Sequence, residues 1–128
     1  MTTTTPKYRG STLYDAARNL FLQAARARTY VTYSELADLM KLPPSGHYMS
    51  QQTGIMAGEI SEEEHAAGRP MLSAILVHAE DELPGPGFYR LAQVLGKKFR
   101  DTELGRKLFW EREREAVYAH WQAHPSEP

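Results

Sequence analysis

The chain has 128 residues, 41% of them hydrophobic and 24% charged, with a formal net charge of −1 and no cysteine. Those values describe one globular domain with enough apolar surface for a core, and the missing thiols exclude disulfides, cysteine nucleophiles and thiolate-bound zinc. No apolar stretch reaches membrane-spanning length and the opening MTTTTPKYRG has no signal-peptide core, so a cytoplasmic protein without a membrane partner is expected.

The charge is unevenly distributed. Residues 1–42 carry six Lys/Arg against three Asp/Glu, residues 43–89 carry only Arg69 against seven acids, and residues 90–117 carry eight against five. A polyanionic partner should therefore prefer the flanks.

Residues 1–10 read as a flexible N-terminus, residues 11–123 as a single domain and residues 124–128 as a flexible tail. Ser11 or Thr12 can cap a helix from about Leu13 to Arg28. Its apolar stripe is Leu13, Ala16, Ala17, Leu20, Phe21, Ala24 and Ala25, which leaves Arg18, Arg26 and Arg28 facing water. Tyr30 and Val31 are β-favouring and suited to pairing briefly with a later strand. Thr32-Tyr33-Ser34-Glu35 has capping-box spacing and opens a helix to Lys41, which Pro43 and Pro44 stop. A second amphipathic helix is expected from Tyr48 to Ile60. Ser61 to Glu64 repeats the capping-box pattern, predicting a separate short helix closed by Gly68.

Met71 to Val77, MLSAILV, is the most apolar run and reads as a strand buried on both faces. It ends in His78 and the acidic turn Glu80-Asp81-Glu82, followed by Pro84-Gly85-Pro86-Gly87. Glycines between prolines suggest positive φ or close backbone approach at Gly85 and Gly87, forming a shaped turn or a binding loop. Leu91, Val94 and Leu95 before Gly96 favour a helix over Phe88–Leu95. Asp101 or Thr102 caps the last helix, about Glu103 to His120, expected to bury Leu104, Leu108, Val117, Tyr118 and Trp121 while Glu111–Glu115 stays solvated.

Helix, tight turn, helix, then strand and loop is the order of a winged helix-turn-helix. The stretch Val31-Thr32-Tyr33-Ser34-Glu35-Leu36-Ala37 resembles the opening of the winged-helix domain of the DNA alkyltransferases and alkyltransferase-like proteins. There, a valine-x-tyrosine-glycine-x-leucine/isoleucine-alanine pattern begins the first helix of the turn. Arg69-Pro70-Met71-Leu72-Ser73 sits about where that family carries its proline-cysteine-histidine-arginine motif, and the likeness spans roughly residues 29–90. It implies an α+β, mostly helical, winged-helix-like domain with a small sheet. It does not imply alkyl transfer, because Met71 stands at the cysteine position and a thioether cannot form the accepting thiolate. Leu72 and Ser73 replace the histidine and arginine.

The expected function is a non-enzymatic, nucleic-acid-associated protein, DNA-binding or regulatory. Tyr33, Tyr48, Ser50, Gln51 and Gln52 would face bases, and Arg26, Arg28, Lys97, Lys98 and Arg100 would face phosphates. The alternative is a protein-interaction or self-association module, built from the acidic middle and the aromatic helix face of Phe109, Trp110, Tyr118 and Trp121. A small enzyme using the His78–Glu82 loop ranks last. Ser73 and His78 lie about 16 Å apart along an extended strand, too far for a nucleophile and its base. His120 and His124 have the i, i+4 spacing of a metal-binding pair, but no third ligand stands out beside Pro125. No metal and no cofactor are expected.

Overall fold

The computed structural model describes residues 5–128; Met1–Thr4, part of the expected flexible lead, lie outside the described residues. The order is α1 (Thr12–Arg26), β1 (Val31–Thr32), α2 (Tyr33–Leu39), α3 (His47–Ala66), a 3-10 turn (Leu72–Ile75), β2 (Leu76–Val77), α4 (Pro86–Val94) and α5 (Glu103–Ala123). The described chain is α+β and mostly helical, and its sheet is one parallel pair, Val31 opposite Leu76 and Thr32 opposite Val77. Val31 thus pairs with a later strand as its β propensity suggests.

Local signals fix the helix starts. The Ser11 hydroxyl accepts the Tyr14 N–H at 3.1 Å. At α2 the Thr32 hydroxyl accepts the Glu35 N–H at 3.1 Å while the Glu35 carboxylate accepts the Thr32 N–H at 3.0 Å, a complete capping box. Thr32 and Glu35 therefore fix the start of α2. Thr102 caps α5 through the Gly105 N–H at 3.0 Å. No helix among the described residues is long and apolar enough to cross a membrane.

Residues 48–68 do not divide into two helices. One helix, α3, runs unbroken to Ala66, since Ser61 and Glu64 are spent on tertiary partners. The Ser61 hydroxyl donates to Ser73 Oγ at 2.7 Å and accepts the Ser73 N–H at 2.9 Å. Glu64, wholly buried, receives the guanidinium groups of Arg18, at 2.8 Å, and Arg69. With both side chains engaged elsewhere, nothing caps a new start and the backbone ladder runs on.

The expected seven-residue strand is also corrected. Met71 to Val77 is buried throughout, but only Leu76 and Val77 are extended and paired. The Met71 N–H goes to Glu113 Oε2 at 2.9 Å, the Ser73 N–H to Ser61, and the Ala74 carbonyl accepts the Trp110 indole N–H at 2.8 Å. Buried backbone groups need partners. Here side chains from α3 and α5 provide them, so the segment coils without a neighbouring strand and lies between α1, α3 and α5.

On α5, Phe109, Trp110, Val117, Tyr118 and Trp121 are buried as part of the core, whereas Leu104 and Leu108 are 64% and 50% exposed. Leu108 precedes Trp110 by two residues, about 200° around a helix of 3.6 residues per turn, so it faces the opposite way. Glu113, expected in solvent, is buried and paired with Lys97 at 3.2 Å.

Both ends of the described chain are tied down. The N–H groups of Lys7, Tyr8 and Arg9 converge on the Glu59 carboxylate at 2.6–2.9 Å. Arg26 donates through Nη2 to the carbonyls of His124 and Glu127, drawing the last residues onto the end of α1.

Candidate functional site

The parallel register places the first side chain beyond each strand side by side. Tyr33 follows Thr32, His78 follows Val77, and their rings stack with centroids 4.5 Å apart at 22°. This pair forms one wall of a cleft of about 480 Å³ between the start of α3 and the start of α4, with Ser50, Gln51 and Arg90 also on its lining and Leu76 and Phe88 contributing apolar surface. Burial raises the Tyr33 phenol above its ordinary value, and the Gly85 backbone beside it acts in the opposite direction. The phenol therefore stays protonated at neutral pH.

Neither glycine of Pro-Gly-Pro-Gly has positive φ, which corrects that half of the expectation, while the close approach holds at Gly85. Gly85 has φ −76° and ψ 168° as the N-cap of α4, Pro86 is the first helical residue, and Gly87 lies within the helix. Gly85 is needed for space instead. A Cβ there would come within 2.9 Å of Tyr33 Oη and 3.5 Å of His78 Nε2. The acidic turn closes on itself through His78 N–H to the Leu83 carbonyl at 3.0 Å and Leu83 N–H to Asp81 Oδ1 at 3.0 Å. Glu80, Asp81 and Glu82 are exposed there.

The structure therefore brings together Tyr33, Ser50, Gln51, His78, Gly85 and Gly87, which the sequence assigns to a helix face and a distant loop. Tyr48 does not line the cleft and is 55% exposed. Gln52 does not join them: it is buried, and its Oε1 accepts from Lys7 Nζ at 2.6 Å and from the Tyr8 hydroxyl. Three of the expected phosphate contacts are already engaged. Arg26 holds the C-terminal carbonyls and lies over the Trp121 ring, Arg28 pairs with Glu115 at 2.7 Å, and Lys97 pairs with Glu113. Lys98 and Arg100 are exposed and have no ion pair among the described residues.

Sequence reasoning passes over Arg90. Its signal was the α4 start itself, because a helix begun at Pro86 puts Gly87 and Arg90 at i, i+3 on one face. Ser73 also borders the cleft, because the segment leading to His78 coils where an extended strand was expected. Its hydroxyl is engaged by Ser61.

Chemically the cleft offers a stacked aromatic pair, an amide, a hydroxyl and a guanidinium around an apolar floor. That set suits a planar polar group held by stacking and a few hydrogen bonds. No protein family, curated protein or solved structure matches the chain.

Proposed function

We propose that this chain is a non-enzymatic, DNA-associated protein of winged-helix type, which lays the start of α3 against DNA with the Tyr33–His78 cleft beside it. The observation that carries this reading is the convergence of Tyr33 from α2, Ser50 and Gln51 from the start of α3, His78 and Arg90 on one cleft. Ser50 and Gln51 are exposed there and have the donors and acceptors that read base edges, and a nucleobase drawn out of the stack has the planar, polar character that the cleft accommodates. The phosphate contacts fall to Arg90, Lys98 and Arg100, exposed cations of α4 and the segment after it that have no ion pair among the described residues. The resemblance noted for residues 31–37 points the same way.

Titrating duplex and single-stranded DNA at two salt concentrations tests the reading. Each phosphate contact contributes about 0.9 to the slope of log affinity against log salt, so three contacts give a slope of roughly −3. Reversing Arg90, Lys98 and Arg100 to Glu should abolish binding at every sequence, while Gln51→Ala should alter only base preference. No measurable binding by the parent at low salt, or an unchanged slope in the triple reversal, would overturn it.

A second reading, a protein-interaction module, is favoured by the exposed Leu83, Leu104 and Leu108. The aromatic face of α5 cannot serve it, since Phe109, Trp110, Tyr118 and Trp121 are all buried.

A further inference from the structure

The end of α5 carries a group of side chains that the DNA reading does not use. His120 and His124, one helical turn apart, stack with ring centroids 4.4 Å apart at 24°. Glu127 returns to them because Arg26 holds the carbonyls of both His124 and Glu127. The ligand atoms of His120, His124 and Glu127 all lie within 4.8 Å of one another, and His120 Nε2 is 3.8 Å from Glu127 Oε2. We propose that these three residues bind a divalent transition-metal ion of the zinc class, fixing the C-terminal segment to the end of α5.

Two further observations support the assignment. His124 Nδ1 lies 2.7 Å from the His120 carbonyl. A carbonyl only accepts, so Nδ1 carries the proton and the Nε2 lone pair remains free, the tautomer and support typical of a ligating histidine. Among the described residues His120 Nε2 is buried with no hydrogen-bond partner, which costs free energy unless a partner is supplied. Two imidazoles and one carboxylate form a borderline donor set that favours zinc and its neighbours over magnesium or calcium, and three protein ligands leave a fourth position for water. Arg69 Nη1 sits 3.7 Å from Glu127 Oε1. One carboxylate oxygen therefore answers the guanidinium while the other faces His120.

The full chain, stripped with a chelator, would be titrated with zinc chloride and separately with magnesium chloride by calorimetry, alongside His124→Ala and Glu127→Gln. Both substituted residues lie beyond the last residue of α5, and His124 is exposed, so the fold should survive them. The expected result is one zinc per chain, no magnesium uptake, and affinity lowered about tenfold or more in each variant. Amide hydrogen exchange over residues 124–127 should slow on adding zinc to the parent and not to His124→Ala. Failure of the parent to take up zinc at one per chain would overturn the site. So would His124→Ala or Glu127→Gln binding zinc as the parent does, which would put the ion elsewhere.

Discussion

Replacing Gly85 by alanine separates a need for space from a need for unusual backbone angles. At φ −76° and ψ 168° alanine is comfortable, so any cost must come from contacts. The new Cβ would stand 2.9 Å from Tyr33 Oη, 3.5 Å from His78 Nε2 and 3.7 Å from Tyr33 Cζ. Tyr33 is hard to displace, being stacked on His78 and set by the strand register. Adding a methyl to a packed site costs about 1–3 kcal/mol, and the stiffer unfolded chain returns about 0.4–1, leaving a net loss of about 1–2 kcal/mol. In urea this lowers the midpoint by roughly 0.5–1 M for a protein of this size. Gly87→Ala is the control. Its Cβ meets only the mobile end of Arg90 at 3.8 Å, and it sits in a helix, where alanine gains about 0.5–1 kcal/mol. The two shifts should have opposite signs. In a Tyr33→Phe background, which lacks the crowded hydroxyl, the Gly85→Ala loss should shrink, a coupling that a double-mutant cycle reads directly. Equal shifts for both glycines, or a Gly85→Ala loss that ignores Tyr33, would refute the close-approach argument.

Glu64→Gln should destabilise by about 2–3 kcal/mol in denaturant titration. It leaves the guanidinium groups of Arg18 and Arg69 without their shared buried carboxylate, at the low end for a broken buried pair because both arginines are partly exposed. Glu113→Ala should cost about 2 kcal/mol in thermal unfolding because it strands the Met71 N–H and frees Lys97. Glu113→Gln, which keeps an acceptor for that N–H, should recover about half of the loss.

The sequence made the helix starts legible wherever capping was local. Ser11, the Thr32–Glu35 box and Thr102 all cap as their spacing suggests, because each partner is within one turn. It misled where the same residue types answer to distant partners. Ser61-x-x-Glu64 has capping-box spacing, but Ser73 and two arginines claim it. Met71–Val77 is apolar on both faces, as a doubly buried strand would be. Yet burial on every side does not distinguish a strand from a 3-10 turn when side chains satisfy the backbone. For the cleft, Tyr33, Ser50, Gln51 and His78 were visible separately, but the β1–β2 register that joins them was not. Nothing local announces that two residues 45 positions apart will follow paired strands.

The charge asymmetry acquires a different meaning once its partners are known. Read as sequence, an acidic middle between basic flanks suggests an outside partner for each. In the fold the two are partners of one another: Arg9 with Glu63, Arg18 with Glu64, and the N-terminal amides with Glu59. Within the basic C-terminal flank, Lys97 turns to Glu113, and Arg28 reaches across to Glu115. The cations that hold the chain together are poorly placed to hold a polyanion as well, since a phosphate would have to displace a carboxylate already in contact. On α4 and the segment after it, Arg90, Lys98 and Arg100 have no ion pair among the described residues, and of these Arg90 alone lines the cleft. An Arg90→Glu substitution should therefore weaken the proposed DNA binding more than reversal of Arg28, although the two flanks carry the same excess of positive charge.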